Sequence, residues 1–195
     1  STFKIMALAA ALQQGISLDT NYSSAPYQLP GSDVVTNVGG GCGVCNLREA
    51  TKQSLNTSFL RLQADLKNGT QDTADMAHAL GVAKSLPGIE KTLTEKGKQP
   101  FEGIVLGQYQ SRPLDMATAM STLANQGVWH NPHFVQRVEN AAGEVLYEHP
   151  EDEGERRVSS NVANNVLEAM EPVAAWSNGA LAGGRASASK TGTTQ

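Results

Sequence analysis

The longest apolar run of the chain, FKIMALAAAL, lies near Ser1 and sets the first constraint on the fold. Phe3, Met6, Ala9, Ala10 and Leu12 recur at helical spacing and Gly15 supplies a C-terminal stop, so Thr2 to Gln14 is predicted to be helical. The run carries Lys4 and falls well short of the ~20 apolar residues that cross a bilayer. The basic stretch and cleavage site of a signal peptide do not flank it, a question on which any residues ahead of Ser1 would bear. With 39% hydrophobic and 17% charged residues among 195, the chain can bury an ordinary globular core and is not disordered.

Punctuation then divides the rest of the chain. Residues 16–45 are rich in Ser, Pro, Gly and Asn and are expected to be irregular, with at most short strands. Asn46 can cap a helix over Leu47 to Lys52, and a break near Ser54 and Leu55 precedes another over Thr57 to Leu66. TQDTADMAHALG reads as a capped helix ending at Gly81. SRPLDMATAMSTLANQG reads as another, with Pro113 in its first turn and Gly127 closing it. The period changes in HFVQRVENAAGEVLYEH, two alternating runs around a Gly-containing turn, which is a hairpin. SSNVANNVLEAMEPV is a last helix, and GGRASASKTGTT is a small-residue stretch expected to form a strand. EHPEDEGERR reads as a solvated charged loop.

Charge and composition exclude several functions. With 15 Lys+Arg against 19 Asp+Glu the formal charge is −4, and no basic stripe suggests a nucleic-acid partner. Aromatic residues make up 5%, too few for a base-stacking platform. Cys42 and Cys45 sit in GGGCGVCN, and the four histidines, His78, His130, His133 and His149, show no paired spacing, so no zinc or other metal site is expected. A thioredoxin-like motif should follow a strand and open a helix, whereas a glycine run precedes this pair. A local disulfide pinning a surface loop is preferred, which would place the protein outside the cytosol.

Three short strings remain, each ordinary alone. Ser1 and Lys4 are three apart, so on a helix they share a face and the amine can reach the hydroxyl. A desolvated lysine can serve as the base that turns serine into a nucleophile; equally, Ser1 could be a helix N-cap. Ser54-Leu55-Asn56 falls at a helix break, where Ser and Asn are common turn residues. Lys190-Thr191-Gly192-Thr193 could be a polar strand end, but its glycine would let a ligand approach the backbone and its lysine would attract an anion.

Ser-x-x-Lys, Ser-x-Asn and Lys-Thr-Gly in this order form the signature of penicillin-binding proteins and serine β-lactamases. The chain resembles the transpeptidase domain of class A (bifunctional) penicillin-binding proteins in KTGTT, SLNTSF, DMATAMSTLANQG and PHFVQRVENAAGEVLY. The cysteine pair and IVLGQYQ resemble its actinobacterial members. The resemblance runs over 1–195 and implies a mixed α/β transpeptidase fold, a sheet flanked by helices. The nucleophile should start a helix, with Lys-Thr-Gly on a neighbouring strand. It also implies a chain cut at both ends, the membrane anchor, glycosyltransferase domain and remaining strands lying outside it and the sheet needing them for completion.

The resemblance further assigns roles. Ser1 would attack the carbonyl between the last two D-alanines of a peptidoglycan stem peptide while Lys4 takes its proton. Ser54 would relay a proton to the departing D-alanine, and Asn56 would hold the substrate amide and Lys4. Lys190, Thr191 and Thr193 would bind the terminal carboxylate beside Gly192, and the N–H groups of Ser1 and Thr193 would form the oxyanion hole. The positive charge of Lys190 would help keep Lys4 neutral. A second stem-peptide amine would then take the acyl group, β-lactams would acylate the same serine, no cofactor would be needed, and the site would face the extracytoplasmic side of the membrane. The rivals are a serine β-lactamase, a D-alanyl-D-alanine carboxypeptidase and a non-catalytic β-lactam sensor. Glu90-Lys-Thr-Leu93-Thr94 only faintly echoes the Glu-x-x-Leu-Asn of the first, and a charged loop is the expected reading.

Overall fold

The computed structural model describes residues 1–192. Its centre is α1 (Lys4–Gln13), in which every residue from Lys4 to Ala11 is buried. A helix that is apolar nearly all round cannot lie on a surface. The others surround it: α1 packs against α3 (Asn56–Ala64), α4 (Thr70–Leu80), α6 (Ser160–Trp176) and a 3₁₀ turn at Glu102–Leu106. Helix α2 (Leu47–Gln53) lies along α6, and α5 (Pro113–Ala124) bridges α4 and α6.

The boundaries follow local chemistry. The Asn46 side chain accepts from the Glu49 N–H at 3.0 Å and starts α2. Pro113 opens α5, and Asp115 three residues beyond Arg112 closes a capping arrangement over its first turn. Helix α6 starts on Ser159, whose hydroxyl accepts from the Val162 N–H.

Strand content consists of short antiparallel pairs. Asn21–Ser23 (β1) pairs with Val44–Asn46 (β4), and Tyr27–Gln28 (β2) with Val34–Val35 (β3). Val128–Trp129 (β5) pairs with Glu155–Arg156 (β8), and Arg137–Glu139 (β6) forms the expected hairpin with Val145–Glu148 (β7). Among the described residues no larger sheet forms. The strand expected within GGRASASKTGTT does not form among its described residues: 185–192 have no regular secondary structure and are held to the helices by one backbone bond, from Ser189 N–H to the Met170 carbonyl at 3.2 Å. A strand exists only as half of a hydrogen-bonded pair, and no described strand lies beside it. The chain is thus mixed α/β, with the three chemical strings gathered around the N-terminal end of α1. No described helix is long and apolar enough to cross a membrane.

Candidate active site

Lys4 is the first residue of α1 and is 1% exposed. A buried ammonium must find acceptors. It finds them at the junction of α2 and α3, where Lys4 Nζ donates to the Ser54 carbonyl (2.5 Å), to Ser54 Oγ (3.1 Å) and to Asn56 Oδ1 (2.7 Å).

That junction is built by one unusual residue. Ser54 ends α2 with φ 57° and ψ 43°, the left-handed region where glycine is the ordinary occupant. The conformation costs a non-glycine residue about 1–2 kcal/mol. The Leu55 N–H closes the turn on the Ala50 carbonyl at 3.0 Å, and the buried Leu55 side chain anchors it. The result presents both the carbonyl and the hydroxyl of Ser54 to Lys4, with Asn56 beside them at the start of α3.

The loop between β3 and β4 holds Asn56 from outside. Asn56 Nδ2 donates to the Thr36 carbonyl at 3.1 Å, which leaves Oδ1 aimed at Lys4. Helix α3 has no capping side chain of its own; Asn37 supplies one, its Oδ1 accepting from the Thr57 N–H (3.0 Å) and its Nδ2 donating to Thr57 Oγ1 and the Ser24 carbonyl (both 2.9 Å). Cys42 and Cys45 form a disulfide in the same loop, with Cα atoms 5.9 Å apart. Cys45 belongs to β4, so the bridge ties this loop to the β1–β4 ladder.

Lys190 arrives on the irregular segment that follows α6. Its Nζ donates to Ser54 Oγ at 2.6 Å and to the carbonyl and hydroxyl of Thr191 at 3.1 and 3.3 Å. A Cβ on Gly192 would lie 3.6 Å from Thr2 Oγ1, so the backbone here runs beside Thr2. Ser54 Oγ therefore stands between two lysine amines. Thr193, assigned to the carboxylate site and the oxyanion hole, lies outside the described residues.

Neither amine has a carboxylate within ion-pair distance among the described residues. Burial, and secondarily the charge of Lys190, pushes Lys4 down from 10.5 to about 7. Burial pushes Lys190 down to about 8. Both amines are thus held below the ordinary lysine range, Lys4 by burial and by its neighbour's charge, Lys190 by burial.

The expected direct contact between Ser1 and Lys4 is not formed. Ser1 precedes the first helical residue, its Oγ accepts from the Phe3 N–H at 3.1 Å, and all three hydrogens of Lys4 are taken by Ser54 and Asn56. A neutral Lys4 has two hydrogens and a lone pair; the freed position is the one a nucleophile can use. Glu90 is exposed and makes no hydrogen bond to these residues. Sequence reasoning missed Thr36, Asn37 and Gly107, at which a Cβ would stand 2.6 Å from Ser1 Oγ. Nothing local announces that, within a Ser/Asn/Gly-rich stretch, the Thr36 carbonyl holds the Asn56 side chain and Asn37 caps the helix twenty residues on. Gly107 lies in IVLGQYQ, noticed only as part of a resemblance. No metal-binding cluster occurs among the described residues.

Residues 1–195 match the family described as the penicillin binding protein transpeptidase domain. The chain is 54% identical to penicillin-binding protein 1A of Mycolicibacterium smegmatis, covering 100% of this chain and 25% of that protein. It spans about a quarter of that relative's length. The solved structure of the penicillin-binding protein PonA1 from Mycobacterium tuberculosis superposes with a TM-score of 0.94 at 52% identity, over 100% of this chain and 51% of that one. The PonA1 protein in complex with penicillin V gives 0.92 at 53% identity, over 100% and 52%.

Proposed function

The chain belongs to the penicillin-binding protein transpeptidase family, and we propose on that basis that it is a peptidoglycan D,D-transpeptidase acting through Ser1. The observation that carries this reading is the Lys4–Ser54–Lys190 chain: one hydroxyl accepting hydrogen bonds from two amines, both of which burial pushes below the ordinary lysine range.

Neutral Lys4 takes the proton of Ser1 as Oγ bonds to the carbonyl carbon of the penultimate D-alanine. Protonated Lys190, with Thr191, attracts the terminal carboxylate of the stem peptide. As the tetrahedral intermediate collapses, the C–N bond to the last D-alanine breaks and its nitrogen takes a proton. Ser54 supplies the route: its hydroxyl delivers that proton and is recharged from Lys4. The amine of a second stem peptide then attacks the acyl ester, forms the cross-linking amide and returns a proton to Ser1 Oγ. A β-lactam presents its amide carbonyl to the same serine, but ring opening keeps its leaving amine attached. The setting we propose is the extracytoplasmic face of the membrane, in a longer protein that, like class A members, also carries a glycosyltransferase.

A class A β-lactamase needs a carboxylate that activates water at the acyl-enzyme. Glu90, the candidate for that role, is exposed and makes no hydrogen bond to Ser1, Lys4, Ser54 or Lys190, which favours the cross-linking reading over a β-lactamase. Labelling the intact protein with a fluorescent penicillin tests it. Covalent label is expected on Ser1 and none on Ser1→Ala; label that persists in the variant contradicts the assignment.

A further inference from the structure

The wall behind Ser1 is the backbone of Gly107, which has φ +85°. A Cβ at this position would stand 2.6 Å from Ser1 Oγ and 3.4 Å from Ser1 Cβ. The first distance is shorter than real Cβ contacts allow, so any side chain here must displace the nucleophile or the loop.

The loop cannot easily yield. Gly107 closes the 3₁₀ turn Glu102–Leu106 through its N–H on the Ile104 carbonyl at 2.9 Å, and the Gln108 N–H returns to the Gly103 carbonyl at 3.1 Å. Ile104 and Val105 are fully buried, and the turn packs on α1. Gln63 Nε2 holds the Glu102 carbonyl at 3.0 Å, and the Tyr109 hydroxyl accepts from the Phe101 N–H at 2.9 Å, clasping the two ends of the loop. On its other side Ser1 Oγ is held by the Phe3 N–H at 3.1 Å. The nucleophile sits between a helix-end N–H and a braced, bare stretch of backbone.

We propose that Gly107 is a positioning residue of this site: its missing side chain keeps the rotamer of Ser1 and the space around Oγ open for attack and for the acyl ester that follows. The inference rests on Ser1 being the nucleophile, and it names a residue that none of the three motifs contains. The left-handed backbone alone would also favour glycine, so a control for strain is needed. Gly88, in the same long connection between α4 and α5, has φ +79° and nothing within 4 Å of a built Cβ.

The test uses the intact protein with Gly107→Ala, Gly88→Ala, Ser1→Ala and the Ser1→Ala/Gly107→Ala double variant, reading stopped-flow penicillin acylation and the thermal midpoint. Gly107→Ala is expected to slow acylation at least tenfold, whereas Gly88→Ala leaves it within twofold. Gly107→Ala should also lower the midpoint more than Gly88→Ala does, and most of that excess should vanish in the Ser1→Ala background, where the atom it strikes is gone. The midpoint readings need no catalysis and remain informative if Gly107→Ala is inactive. Acylation within twofold of the parent, or a midpoint loss equal in both backgrounds, overturns the role of Gly107. Label retained by Ser1→Ala overturns the nucleophile itself, and this wall with it.

Discussion

Helix α1 and the β6–β7 hairpin are both read from apolar sequence, yet they end in opposite environments. Every residue of α1 from Lys4 to Ala11 is buried, while every residue of β6 and β7 is exposed, Leu146 to 63%. The same kind of charge behaves differently in the two places. On the hairpin, Arg137 meets Glu139 at 2.5 Å, but both are roughly half exposed and such pairs contribute about 1 kcal/mol or less. In α1, Lys4 has no carboxylate partner among the described residues and is driven to about 7 chiefly by burial. Burial, rather than pairing, sets the charge state of the lysine at the centre of this molecule.

The largest effect expected from that contrast is on activity. Lys4→Ala should slow acylation by about 10²–10⁴-fold, the range for loss of a general base, and Arg137→Ala should leave the rate unchanged. Stopped-flow acylation of the two variants makes the comparison; a Lys4→Ala rate near that of the parent would remove the base from the account. One substitution made in both regions tests burial itself. Leu8→Ala is expected to cost about 2–5 kcal/mol in chemical denaturation, and Leu146→Ala no more than about 0.5 kcal/mol. Equal losses would mean that the hairpin is as well packed as α1. Between these lies Asn37→Ala, which uncaps α3 beside Asn56: a loss of about 1–2 kcal/mol is expected, together with slower acylation. Unchanged acylation would show that Asn56 needs no support from the loop.

Much of the helical frame could be read from sequence because its signals are local. Asn46, Pro113 and Ser159 act within their own helices, and the periodicity around Phe3 to Leu12 reports the buried helix directly. The three motifs were legible through resemblance, since spacing alone would leave Ser1 a helix cap. What was not legible depends on distant partners. The left-handed Ser54 has no sequence mark, because serine usually avoids that region. Asn37 reaches across to Thr57, and Gly107 closes on Ser1 only once the turn before it packs on α1. The strand expected around Lys190 failed for the same reason: small residues permit a strand, but only a neighbouring backbone makes one.

The central claim is that burial and the charge of Lys190 together keep Lys4 available as a base. The sign follows from the two amines. Acylation should rise as pH passes about 7, where Lys4 loses its proton, and fall above about 8, where Lys190 loses the charge that attracts carboxylate. The most direct measurement is the pH profile of the acylation rate constant in the parent and in Lys190→Ala. Without the neighbouring cation the rising limb should move to higher pH, yet stay below the 10.5 of a solvated lysine, because burial is the larger cause. A rising limb that does not move on loss of Lys190 would contradict the coupling and leave Lys190 only the task of holding substrate.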